Sequence, residues 1–340
     1  MPDRLTRMAH KILNEPLEPI PRYLIMRDVL FLPENDQEMS AARDRAMQSK
    51  LISDLISRQQ ADGSFGRFNM IAGLDTPNGG INETALIRAL SLGLDSSHPV
   101  LSNLRLFFER TLVDLVQQAK QLNNRQSMPV ARSLILAACL RQLDSQQPEV
   151  LELVSRWRYI IESSLDGDEF QTAVFRDRCE EVFGPDYQFW PEQWPELGFS
   201  NYMLLLLRDQ FPFAVEQGMI RYLINKTRGI YPVSNRSLQY FPLEFASREG
   251  VRFITSLEIL SQYTSAAVYL RNAVDWLWEQ LDSSGYWDLG SEAKDNRHLP
   301  LSSSWRSRHN RQLDCTVRIL RLLSKLQQTC ELYDTTCHFL

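Results

Sequence analysis

The chain is 340 residues long, 44% hydrophobic and 23% charged, with 14 Gly and 16 Pro. That composition excludes wholesale disorder, collagen-like repetition and a disulfide mini-scaffold, and a net charge of −5 gives no electrostatic reason to expect nucleic acid. Five scattered cysteines (Cys139, Cys179, Cys315, Cys330 and Cys337), never spaced CxxC, read as reduced thiols of a cytoplasmic protein.

The first residues, MPDRLTRMAHKILNEP, mix charges of both signs and lack the apolar stretch of a leader. Apolar residues then recur at helical spacing along the chain. Leu51-Ile52-Leu55-Ile56, Leu86-Ala89-Leu90 and Leu112-Val113-Leu115-Val116 are early examples. Leu134-Ile135-Ala138-Cys139, Val150-Leu151-Val154 and Val317-Leu320-Leu323 continue the pattern. The greasiest run, Tyr202 to Leu207, stops at Arg208-Asp209, well short of the ~20 residues that a membrane helix needs. An all-α protein of about eleven to thirteen helices is expected, peripheral to a membrane at most.

A glycine followed by an aromatic recurs between the helices. It appears in Asp62-Gly63-Ser64-Phe65, Arg228-Gly229-Ile230-Tyr231 and Ser284-Gly285-Tyr286-Trp287, with a weaker copy at Asp166-Gly167-Asp168-Glu169-Phe170. Asn82-Glu83-Thr84 and Asp314-Cys315-Thr316 open comparable helices after the first and last copies. A period of roughly 55 residues exceeds that of common helical solenoids and suits a closed ring of helical hairpins. LISRQQADGSF (Leu55 to Phe65) and WEQLDSSGYW (Trp278 to Trp287) resemble the Gln-Trp-type repeats of squalene cyclases and protein prenyltransferases. PRYLIMRDVL (Pro21 to Leu30), followed by Ala41-Ala42-Arg43, is similar to the start of prokaryotic squalene-cyclase-like proteins. The resemblance implies an (α/α)6 toroid around a central cavity, with residues 1–45 as an N-terminal helical arm and 46–340 as the ring.

The same resemblance singles out Asp314. Asp314-Cys315-Thr316 is similar to the start of the Asp-Cys-Thr-Ala-Glu motif of oxidosqualene cyclases, whose Asp donates the first proton. It implies Asp314 as a catalytic acid with Cys315 beside it. Val317-Arg318 departs from the motif, and the Asp-x-Asp-Asp box of bacterial cyclases is absent. The residue type alone also allows Asp314 to be a helix N-cap, the counterpart of Asn82. Just upstream, SSWRSRHNR (Ser303 to Arg311) supplies Trp305, Arg306, Arg308 and Arg311. These either clamp a diphosphate or carboxylate of the substrate or form a solvated basic loop. Tyr187, Phe189, Trp190 and Trp194, and Tyr240 further on, are candidates for a cavity wall that stabilises a cation through ring quadrupoles. Anchoring a loop is the other role open to them.

No metal or cofactor is expected. There is no Asp-Asp pair for magnesium diphosphate, and adjacent Asp314 and Cys315 miss prenyltransferase zinc spacing, so Cys315 with His309 has no support. Cys337-His338-Phe339-Leu340 fits a CaaX box formally, but no polybasic stretch precedes it. The leading expectation is a metal-independent, protonation-initiated cyclase or isomerase acting on an isoprenoid or prenyl diphosphate. A non-catalytic isoprenoid binder on the same ring is the alternative. A carbohydrate-active toroid using Asp166, Asp168 and Glu169, or Asp186 and Glu192, is the third.

Overall fold

The computed structural model describes residues 3–68, 81–121, 127–184 and 199–337. These form fourteen α-helices and a single hairpin of two-residue strands, so the class is all-α. The chain begins with α1 (Arg4–Leu13), α2 (Pro19–Asp28), α3 (Gln37–Met47), α4 (Lys50–Ser57) and α5 (Asn82–Ser91). It continues through α6 (Pro99–Gln121), α7 (Ser127–Gln142), α8 (Pro148–Ser163), the hairpin β1 (Leu165–Asp166) and β2 (Glu169–Phe170), and α9 (Thr172–Phe183). Then come α10 (Asn201–Leu207), α11 (Phe213–Asn225), α12 (Arg248–Leu260), α13 (Ala267–Glu279) and the long α14 (Arg308–Cys337). Among the described residues, no helix is long and apolar enough to cross a membrane.

Local chemistry explains many of these boundaries. Asp3, Asp36, Ser200 and Ser247 each accept a hydrogen bond from an amide three residues on, capping α1, α3, α10 and α12. Proline opens α2 and α8, where its missing N–H costs nothing.

Two compact units result, one from the described residues up to 101 and from 241 onward, the other from residues 102–240. In the second unit α7 packs on α8 and α10, and α9 packs on α8. The hairpin lies on α11, where Phe170 meets Phe175, Phe199 and Tyr222 with centroids 4.7–5.4 Å apart. The weak copy of the Gly-aromatic pattern at Gly167 is therefore a β-hairpin turn.

The first unit is organised around α14. Residues 312–320 are buried without interruption, so this helix is covered on every side. α1, α2 and α13 pack on it, bringing both ends of the chain together. The Gly-aromatic turns at 63 and 285 share one geometry. Gln60 N–H donates to Ser64 O at 2.8 Å and Gly63 N–H to Gln60 O at 3.0 Å, while Asp282 to Tyr286 and Gly285 to Asp282 repeat this at 2.9 Å each. Both glycines are left-handed, at φ +91° and +76°. Phe65 and Trp287, two residues later, are buried, and each amide is caught by the following helix. Phe65 N–H donates to Asn82 Oδ1 at 2.7 Å, and Trp287 N–H to Thr316 Oγ1 at 3.1 Å. Gly229 is different: its φ is not left-handed, and a Cβ there would sit 2.6 Å from Arg236 O. It is glycine for space.

Because a Cβ at Gly285 would meet only the flexible end of Lys11, Gly285→Ala isolates the cost of its positive φ. That cost is about 1–2 kcal/mol, read as a lowered thermal midpoint.

Candidate functional site

Asp314 lies six residues inside α14, so it is not a helix cap. Asn82 is likewise inside its helix, and its side chain braces the 65–66 turn instead of the first-turn amides. On α14, residues 311, 314, 318 and 321 share one face by helical spacing. All four are ionisable and none is exposed: Asp314 is 0% exposed, Arg318 4%, and Arg311 and Arg321 are half-buried.

Every polar partner of Asp314 converges on one oxygen. Oδ2 accepts from Leu301 N–H, Ser302 N–H and the Ser302 hydroxyl at 2.8 Å each, and from the Trp305 indole N–H at 2.6 Å. Among the described residues, Oδ1 has no partner, although it is buried. Burial disfavours the charged form strongly enough to outweigh the four donors, so the Asp314 pKa lies above the ordinary carboxylate value. With Oδ2 saturated by donors, the proton belongs on Oδ1, where no protein acceptor competes for it. Oδ1 is thus the oxygen that carries the proton in the neutral form of the group.

A second carboxylate nearby is tuned the other way. Burial would also raise Asp295, but the His298 ring at 2.9 Å and the amides of Arg297, His298 and Leu299 hold it well below the usual range. His298 Nε2 lies 4.0 Å from Glu258, which receives Arg318 Nε and Nη2 at 2.8 Å each. The Arg318 pairing outweighs burial and lowers the Glu258 pKa. Arg318 also donates to Thr255 Oγ1 at 3.0 Å. One turn further, Arg321 Nε donates to Asp28 at 2.6 Å, and Arg27 holds the same carboxylate from the other side. Arg88 of α5 feels the charges of Asp295 and Asp314, and burial lowers its pKa to about 10.

The residues expected from the sequence scatter across several roles. Trp305 is drawn into the site as a donor to Asp314. Cys315 is buried beside it, and burial pushes its thiol up to about 12, so it stays protonated and is no nucleophile. Arg311 makes a bidentate pair with Asp288 at 2.8 and 2.9 Å, and Arg308 joins it at 3.5 Å. Arg306 is exposed. His309 lies 3.4 Å from Glu15. Tyr240 is 71% exposed. Tyr187, Phe189, Trp190, Trp194, Asp186, Glu192 and the terminal residues 338–340 lie outside the described residues. Asp166, Asp168 and Glu169 are exposed on the hairpin. Among the described residues, no three His, Cys, Asp or Glu are grouped to hold a metal ion.

Sequence reasoning missed Arg88, Asp295, Glu258 and Asp28. One signal was present: Arg318 and Arg321 interrupt the apolar run Val317-Leu320-Leu323, and charges inside a buried stripe require partners.

Two outcomes follow from these charges. Glu258→Ala strands the Arg318 cation in the core and should cost about 3 kcal/mol in denaturant unfolding. The raised Asp314 pKa means its contribution to stability is complete below the ordinary value, about pH 4, and is lost as pH rises through the folded value. Asp314→Asn removes that loss, so its thermal midpoint relative to wild type should climb as pH increases. Compared with protein-family models, with curated proteins and with solved structures, the chain finds no match in any of the three.

Proposed function

We propose that this protein handles isoprenoids as a metal-independent, protonation-initiated cyclase or isomerase, with Asp314 as the proton donor. The observation that carries the reading is the asymmetry of its carboxyl: Oδ2 saturated by four donors, Oδ1 buried and unpartnered. An alkene takes the Oδ1 proton by giving its π electron pair to a new C–H bond, which leaves a carbocation. The carboxylate left behind is stabilised by the donors already in place on Oδ2, so little reorganisation is needed at the moment of transfer. A neighbouring carbon then returns a proton to the Asp314 carboxylate, its C–H electron pair forming a new π bond; this quenches the cation, regenerates the acid and makes the overall change an isomerisation or cyclisation. The (α/α)6 ring implied by the resemblance belongs to the same proposal, and the repeated geometry of the turns at Gly63 and Gly285 supports a repeat at that spacing.

A second reading has a specific observation in its favour. The four bonds to Oδ2 also tie residues 301–305 to α14, work that a carboxylate does without any chemistry. A non-catalytic binder would need no more than this.

Asp314→Asn separates the two, because an amide oxygen keeps the acceptor while the donatable acid is gone. Purified protein is incubated with a panel of prenyl diphosphates, squalene and its epoxide, and products are extracted and identified. The expected result is turnover of one substrate length by wild type and a loss of at least ~100-fold in Asp314→Asn, with the thermal midpoint retained. Equal turnover by the variant would sink the acid role, and ligand-induced stabilisation without any product would favour the binder.

A further inference from the structure

Arg88 carries a largely buried guanidinium whose Nη1 is sealed from solvent and, among the described residues, has no hydrogen-bond partner. Arginine does not surrender its proton in proteins, and a buried, unmatched cation is costly. Arg88 feels both Asp295 and Asp314 yet reaches ion-pair distance of neither. Asp295 is already engaged by His298 and three backbone amides. Asp314 is engaged by its four donors. Arg318, one turn along α14 from Asp314, also keeps a buried Nη1 without a partner while its other nitrogens are committed to Glu258 and Thr255. Among the described residues, two guanidinium nitrogens and one carboxyl oxygen are thus left without partners, and the end of α5 meets α14 through Arg321 Nη1, which donates to Ser91 O at 3.3 Å.

We infer that Arg88 is the receptor for an oxyanion, a phosphate or carboxylate group carried by the substrate, with Arg318 Nη1 as a second donor. The inference rests on the acid reading above only in placing that anion on the molecule that Asp314 protonates. It moves head-group recognition away from Arg308 and Arg311, whose guanidinium groups are occupied by Asp288. It also couples the two groups: an anion held at Arg88 disfavours ionisation of Asp314, so a filled receptor keeps the acid loaded.

The test is calorimetric titration of the intact protein with inorganic phosphate, pyrophosphate and acetate. Further arms use a prenyl diphosphate and the matching prenyl alcohol. Wild type should bind one of the oxyanions, and Arg88→Gln should weaken that binding at least about tenfold. The prenyl diphosphate should bind more tightly than pyrophosphate, whereas the alcohol should show no dependence on Arg88. The ligand-free thermal midpoint of Arg88→Gln should hold or rise, because a buried cation with no direct ion pair has been removed. Asp314→Asn should bind the anion as well as wild type or better, so that loss of the acid reading leaves this one standing. No oxyanion binding by wild type, equal binding by Arg88→Gln, or a fall in its midpoint would each overturn the receptor. An anion bound with no gain from the prenyl chain would overturn its placement on the substrate.

Discussion

A helix that carries four ionisable residues along one face through the middle of a hydrophobic unit must find a partner for each. In α14 those residues are Arg311, Asp314, Arg318 and Arg321, and their partners come from four separate stretches of chain. Asp288 and the 301–305 segment answer the first two, Glu258 of α12 the third, and Asp28 of α2 the fourth. Buried ion pairs of this kind add little net stability, because desolvation offsets the attraction. They do demand the correct register. Sliding α14 by one turn would set Arg318 where Asp314 belongs and bring a cation against the donors of residues 301–305. The apolar side chains around α14 would tolerate several rotations, and the charges select one.

Asp314 and Asp295 show how the same side chain is driven in opposite directions within one cluster. Both are buried, and burial alone raises both. Asp295 has His298 and Arg318 close by, and these positive neighbours reverse the outcome. The groups hydrogen-bonded to Asp314 are all neutral, and together with the more distant Arg88 they do not suffice. The difference is between formal charge and dipole, and it separates a permanent counter-ion from a titratable acid.

Much of this was legible in the sequence. The helices followed from apolar spacing, and the turns at Gly63 and Gly285 from a glycine with an aromatic two positions on. Asp314 stood out by its motif, though its surroundings did not. Its placement inside the helix depends on where α14 begins, and Arg308 to Asn310 carry no apolar periodicity to mark that start. Arg308 and Arg311 looked like free clamps because Asp288, twenty or more positions earlier, is brought to them only by the fold. Arg88 was invisible for a related reason. On an amphipathic helix it reads as a surface residue, and its burial comes from packing that local patterning does not encode. The copies at Gly167 and Gly229 share only letters with the true turns, since one glycine serves a hairpin and the other makes room for a carbonyl.

The two matched turns have a consequence for how this architecture changes over time. In each, a backbone amide is tied to a side chain of the next helix, across 17 residues from Phe65 to Asn82 and 29 from Trp287 to Thr316. Each bond therefore ties two distant points of the chain together. Closing such a loop depends only weakly on its length, about 0.6 kcal/mol for each doubling. Added length between the anchored points is therefore cheap. Between Trp287 and Thr316 the anchors themselves are fixed, because Asp288 and residues 301–305 are bonded to α14; only the lengths that separate one anchor from the next are free to change.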